Sequence, residues 1–326
     1  MNTFATRLVL FAVMVSPMVA QAPATPTSST ETHRLKLTDI GTLKKYGTAT
    51  EPPWLCDADG NLYGKVWSKL EHDQILPLYK FSPKGTLIAT YNISKNDAVV
   101  EPHEFALGRD GQVVRVTQTR DGQRRLISYS DDGTIRGRIR VQTHLGWQYQ
   151  QFDSGELLLA GQHINGAQQE ETLVAVLRPD GTLLKNVALP RKKSGNAGSD
   201  PRLLLARGPD GNVYIATADD PGTISVVNSS GEVVKSFGVA PPKCCHRPDR
   251  MVVNENSIAI QYDWATPDPP SPYQTARTLI KVVDLDGHDE AVYYFSKSET
   301  NTLVCHSNSG SFTLLEGDTI VLGEPQ

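Results

Sequence analysis

The sequence predicts an all-β fold, a six-bladed β-propeller of four-stranded antiparallel blades, on three observations. Glycines recur in turn contexts at Gly60, Gly85, Gly111, Gly133, Gly155, Gly181, Gly211, Gly231 and Gly287, each behind Asp, Lys or Ser. With Glu255-Asn256 filling the one long gap, successive turns lie 20 to 31 residues apart, room for two strands and a loop. The segments around them alternate between two kinds, and the 26 glycines and 21 prolines interrupt any long amphipathic helix.

Ahead of the repeat, Met1 to Arg7 form a basic leader and Leu8 to Ala20 an apolar run too short to span a bilayer. Residues 1–22 therefore read as a signal peptide, and residues 23–32, rich in Pro, Thr and Ser, as a flexible linker. A single propeller domain is expected over 33–326, secreted or periplasmic, with no membrane span after signal cleavage.

Asp210-Gly211, between Leu203–Ala206 and Val213–Thr217, is the clearest hairpin, because its turn demands a positive φ that glycine adopts without a Cβ clash. Trp54–Cys56, Phe105–Leu107 and Leu203–Ala206 are continuously apolar, as strands covered on both faces are, and should be the inner strands. Leu173–Leu177, Val187–Leu189 and Ile224–Val227 belong to the second kind and should be outer strands. Three repeats pass from Gly60 to Gly211, about 50 residues each, so the domain has room for about six. The closing blade is expected to combine an N-terminal hairpin at Arg34–Leu43 with a C-terminal hairpin at Leu314–Leu322, tying both ends into one sheet. The register of Asn301–Phe312, with its own Ser309-Gly310 turn, stays open; a pair of stacked β-sandwiches is the structural alternative.

Gly208-Pro-Asp-Gly-Asn-Val-Tyr-Ile-Ala216, with Asp57-Ala-Asp-Gly-Asn-Leu-Tyr63 as a second copy, resembles the NHL-type repeats of the six-bladed, TolB-like propeller superfamily. The other blades match in turn chemistry alone. The resemblance implies a propeller, and a function among lactonases, a peptide-amidating lyase, strictosidine-synthase-like proteins and non-catalytic binding modules. Lactonases of the superfamily hold a divalent metal with a Glu, Asn and Asp set, and no such set is assignable residue by residue here. The amidating lyase uses channel histidines, for which His103, His163 and His246 are the counterparts by type.

In an exported chain Cys56, Cys244, Cys245 and Cys305 are candidates for disulfides. Adjacent Cys244 and Cys245 have Cα atoms about 3.8 Å apart, below the roughly 4.4 to 6.8 Å usual for a bridge. Cys56 with Cys305 is the less strained option for the other two. A metal set of Cys244, Cys245 and His246 is a weaker alternative, because structural zinc sites space their cysteines further apart.

If the short glycine turns share one end of the disc, the longer connections share the other, around the channel mouth. That end gathers the candidates for ligand binding: Glu101, His103, Tyr149, His163, Arg202, His246, Arg250, Asp263 and Trp264. Arg202 and Arg250 have a structural reading as partners of neighbouring carboxylates, and Glu101 with His103 a catalytic reading as an acid and base pair, against which stands the commonness of such a pair near a strand start. The mixture fits a ligand that is polar with an apolar part. No nucleophile elbow, zincin motif, phosphate loop or dinucleotide fingerprint is present, and no metal or cofactor is expected. A net charge of -4 favours neither nucleic acid nor an anionic membrane. The expectation is a monomeric, non-catalytic module binding a small molecule or protein; a metal-dependent hydrolase or lyase is the alternative.

Overall fold

The computed structural model describes residues 32–47, 49–67, 76–93, 105–108, 111–118, 123–141, 148–164, 170–190, 203–217, 222–242, 245, 247–263, 278–295 and 301–326. Strand β1 is Thr32–Thr42, and a first sheet follows: β2 (Ala49–Cys56), β3 (Leu62–Trp67), β4 (Leu78–Phe81) and β5 (Leu87–Tyr91). The second holds β6 (Phe105–Leu107), β7 (Val113–Gln118), β8 (Arg124–Tyr129) and β9 (Ile135–Val141). The third holds β10 (Gln148–Gln151), β11 (Leu157–Ile164), β12 (Glu170–Leu177) and β13 (Leu183–Asn186), and the fourth β14 (Leu203–Arg207), β15 (Val213–Thr217), β16 (Gly222–Val227) and β17 (Val233–Val239). After them come β18 (Arg247–Val253), β19 (Ser257–Asp263), β20 (Thr278–Asp284), β21 (Asp289–Tyr294), β22 (Thr302–His306), β23 (Phe312–Glu316) and β24 (Thr319–Pro325).

Each of the four sheets is antiparallel in chain order, and the other eight strands form one sheet, β18-β19-β20-β21-β1-β24-β23-β22. That sheet is two antiparallel runs of four joined by one short parallel pairing, in which Thr32, His33 and Arg34 meet Val292, Tyr293 and Tyr294. The first strands gather side by side: β6 beside β10, then β14, β18, β22 and β2.

All nine turn glycines named above adopt positive φ, from +68° at Gly111 to +96° at Gly155. Apolar continuity places β14 and β15 inside as expected. But Val174–Leu177 of β12 and Ile224–Val227 of β16, expected as outer strands, are buried too, and the exposed edge of the third sheet is β13, which ends before Val187–Leu189. Core forms between consecutive sheets. Phe152, Leu158 and Val176 of the third, for example, pack with Leu203, Val213 and Ile215 of the fourth, and removing this apolar area from water is the main stabilising term.

Polar side chains bridge the same junctions. Arg115, 1% exposed, donates to the carbonyls of Tyr91 (2.8 Å) and Leu76 (2.9 Å). Lys80 pairs with Asp131 of the second sheet at 2.5 Å, and Arg207 pairs with Asp153 of the third. Cys56 of β2 is joined to Cys305 of β22 with Cα atoms 5.8 Å apart, so the first sheet is bonded to the last run.

The chain ends differ from the expected pair of hairpins. The N-terminal segment is a single strand, β1, running antiparallel to β24 from Leu35 opposite Pro325 to Thr42 opposite Thr319. Gly41 makes no turn. A Cβ there would lie 2.5 Å from the Lys84 carbonyl oxygen, so this glycine serves close approach within a bulged strand. The C-terminus supplies three strands, with Ser309-Gly310 as the first turn and Gly317 as the second.

Candidate functional site

Strand β19 separates two unlike environments. On one side Ile260 and Tyr262 face a narrow apolar cleft whose walls include Thr217, Gly222, Ile224, Val239 and Pro248. Burial raises the Tyr262 phenol well above its ordinary pKa, with the charge of Asp289 adding to the effect, so its hydroxyl stays protonated.

On the other side the alternation of the strand presents Gln261. Its Nε2 donates to the Asn301 carbonyl (3.0 Å) and its Oε1 accepts from the Leu303 N–H (2.6 Å), tying β19 to β22. Arg250 is its register partner on β18, and Ile280, two residues from Thr278, its partner on β20. Thr278 and Asn301 are 1% and 0% exposed, yet Thr278 Oγ1 and both polar atoms of the Asn301 side chain have no hydrogen-bond partner among the described residues. Arg250 Nε is likewise enclosed with no hydrogen-bond partner among the described residues, and Asp249 Oδ2 stands 3.8 Å from it. Enclosing such groups without partners is unfavourable by about 1–3 kcal/mol each. Native proteins keep them where a water or ligand completes the set.

This cluster lies at the connection-bearing end. Thr278 opens β20, Asn301 directly precedes β22, and Asp263 ends β19 with Arg247 and Thr278 as register partners. Of the residues singled out from the sequence, Arg250 and Asp263 are therefore brought beside one another's strands. His163 lies on β11, opposite Glu171, in a different sheet. Tyr149 is 5% exposed and packs among Val141, Leu157 and Leu159, so its ring belongs to the core between the second and third sheets. Glu101, His103, Arg202, Cys244, His246 and Trp264 lie outside the described residues. Cys245 is fully buried beside the cleft's β18 wall and contributes to the core there.

One group with metal-ligating atoms occurs among the described residues, and it is at the opposite end. Asp284, Asp286 and His288 present ligand atoms within 4.8 Å of one another in the Gly287 turn. Local bonds use them: Asp284 Oδ1 accepts the N–H groups of Asp286 and His288, each at 2.8 Å, and Asp286 pairs with Lys235. Hydrogen bonding to Asp284 Oδ2, with its charge, holds the His288 pKa above the ordinary value. The arrangement is an Asx turn with an ion pair.

The fold is that of the β-propellers. A gluconolactonase from Xanthomonas campestris superposes with a TM-score of 0.52 at 14% identity, over 94% of this chain and 99% of that one. A streptogramin B lyase does so at 0.50 and 14%, over 90% and 98%. The microbial sialidase Hz136 gives 0.50 and 12%, over 89% of this chain and 68% of that one. No protein-family model matches the sequence, and no curated protein does.

Proposed function

We propose that this chain is an exported six-bladed propeller that binds a small molecule at its connection-bearing end and acts on it as a hydrolase or lyase. Six blades follow from taking the two runs of the eight-stranded sheet as a blade each. The packing of outer turns supports that count: Gly133 approaches Thr90 of β5, Gly181 approaches Arg140 of β9, and Gly85 approaches Thr42 of β1. Strand β1 thus stands where an outer strand stands elsewhere.

The observation that carries the functional reading is β19, with an apolar cleft at Tyr262 and, on its other side, Thr278 Oγ1, the Asn301 amide and Arg250 Nε without a hydrogen-bond partner among the described residues. Such pairing suits a ligand that is polar with an apolar part. The lyase, lactonase and sialidase among the similar propellers support catalysis over binding alone, which reverses the order expected from the sequence. The described residues offer no metal set at this end, so a metal-dependent route rests on Glu101, His103, His163 and His246.

The test is an assay of aldonolactones and model glycosides, with thermal shift and metal content measured on protein purified without chelator. Turnover that falls in His103→Ala and His163→Ala, with stoichiometric metal, is the metal-dependent outcome; turnover without metal leaves the side chains around Gln261 as the machinery. A thermal shift without turnover means a binding module, and neither response to any probe overturns the reading.

A further inference from the structure

Several inward-facing cations of this chain have their partners built into the fold. Lys281, 3% exposed, donates to the Ala240 carbonyl (2.7 Å) and pairs with Asp289 (2.6 Å). Lys80 pairs with Asp131, Arg207 with Asp153, and Arg115 donates from both terminal nitrogens to backbone carbonyls. Arg250 departs from this pattern. Its side chain is 26% exposed with Nε enclosed, and its guanidinium makes no hydrogen bond to a described residue. Asp249 Oδ2, from the preceding residue, stands 3.8 Å from Nε, beyond hydrogen-bond length.

The strand register fixes which way Arg250 points. Register partners of an antiparallel pair share a face, so Arg250 lies on the same side of its sheet as Gln261, Ile280 and, two residues from Ile280, Thr278. That side is turned toward β22: Gln261 bonds to the Asn301 carbonyl and the Leu303 N–H, and Ile280 packs with Leu303. Arg250 therefore shares one junction with the Thr278 hydroxyl and the Asn301 amide, which are enclosed without a partner among the described residues.

The chemistry of these groups is unbalanced. A guanidinium only donates, a carboxamide offers two hydrogens and one acceptor oxygen, and a hydroxyl does both. A ligand that completes the set must be rich in acceptors, must carry negative charge for Arg250, and must offer a hydroxyl to Asn301 Oδ1. Sulfate answers the arginine but has no hydrogen to donate, and a neutral sugar answers Asn301 but leaves the charge.

We propose that the ligand is a polyhydroxy carboxylate, a sugar acid, with its carboxylate on the Arg250 guanidinium and a hydroxyl on the Asn301 amide. The inference rests on the functional reading above in placing a ligand at this junction, and adds the ligand's charge.

Titration calorimetry on the full chain tests it with D-gluconate against D-glucitol, D-glucuronate against D-glucose, and with hexanoate and sulfate alone. At least one acid should bind about tenfold or more tightly than its neutral counterpart, and salt should weaken the acid alone. Arg250→Gln should bring acid and counterpart to the same affinity, with the melting temperature of the ligand-free protein unchanged or raised. Arg250→Lys, which keeps the charge without the fork, should leave an intermediate preference. If the Gln variant does not fold, the preference and its salt dependence in the unaltered chain decide. Equal binding of acid and counterpart, no binding by either acid, hexanoate or sulfate binding as tightly as the acids, or a preference unchanged in a folded Gln variant overturns the proposal. Turnover of neutral lactones or glycosides by a chain without the preference overturns this inference and leaves the functional reading standing. Preferential binding of an acid without turnover upholds it and confines the failure to catalysis.

Discussion

Ser257 Oγ stands 3.0 Å from His306 Nε2, and the contact joins β19 to β22, one strand from each run of the eight-stranded sheet. His306 is 8% exposed and stacked on Phe312 with ring centroids 4.6 Å apart, and its Nδ1 faces the Ser311 carbonyl at 3.4 Å. A carbonyl only accepts, so Nδ1 carries the proton, and the single serine hydrogen lies between Nε2 at 3.0 Å and Asn254 Oδ1 at 3.2 Å, both of which accept. The pocket holds a neutral imidazole, and burial pushes the His306 pKa below its ordinary value.

A pH dependence follows. With the folded pKa lowered, the stabilisation from His306 is complete above the unfolded value of about 6.5. It is lost as the pH falls from there through the lower folded value, where the unfolded chain binds the proton more readily. His306→Gln keeps a polar side chain but cannot titrate. The difference in melting temperature between the natural chain and this variant should therefore shrink from pH 7.5 to pH 5; a constant difference would mean that the ring's charge state is immaterial.

The Cys56–Cys305 bridge joins residues 249 apart in sequence, at the junction where β22 meets β2. Cross-linking so long a loop restricts the unfolded chain, and such bridges typically stabilise by about 2–4 kcal/mol. The Cys56→Ala/Cys305→Ala variant should melt several degrees lower. Chemical denaturation of this variant beside the unaltered chain measures the difference directly.

Gly64 and Gly310 should respond to alanine for different reasons. A Cβ on Gly64 would lie 2.2 Å from Trp54 Cδ2 in a fully packed region, and overpacking of this kind costs about 1–3 kcal/mol. Gly310 has nothing within 4 Å of an added Cβ, but its φ is +85°, so alanine meets backbone strain alone, about 1–2 kcal/mol. Gly310→Asn should recover part of that loss because Asn tolerates positive φ, whereas Gly64→Ser should recover nothing.

Most of the fold was legible because its local rules are strong. Turn glycines such as Gly211 are written into Asp-Gly pairs, and inner strands such as β14 into apolar runs, here Leu203–Ala206. The chain ends were less so: Gly41 follows Asp39-Ile40 in the manner of a turn, and only the nearby Lys84 backbone, distant in sequence, explains it. The candidate site was harder still. Conspicuous loop residues such as His103 and Trp264 drew attention, while Gln261, Thr278 and Asn301 sit inside or beside apolar strands. The available signal was Gln261 within Ile258-Ala-Ile-Gln-Tyr262, a large amide where burial demands a partner. Pattern alone does not tell which strand supplies that partner.

Asn301 provides the sharpest test of that site. Its backbone carbonyl is used, accepting from Gln261, but its side-chain amide is fully enclosed with no partner among the described residues. Leucine has the same number of side-chain heavy atoms and the same branch point, and no polar atom to leave unsatisfied. If a ligand completes the amide's hydrogen bonds, Asn301→Leu should leave the melting temperature of the ligand-free protein unchanged or raise it, since an unfavourable enclosed group has been removed. The same substitution should lower turnover or ligand affinity about tenfold or more, because the ligand's polar atoms would lose their partner. If instead a fixed water satisfies the amide for structural reasons alone, the substitution should destabilise the ligand-free protein by about 1–3 kcal/mol and leave affinity unchanged in the fraction that folds. Measuring stability and function on this one variant therefore separates a binding group from a structural one.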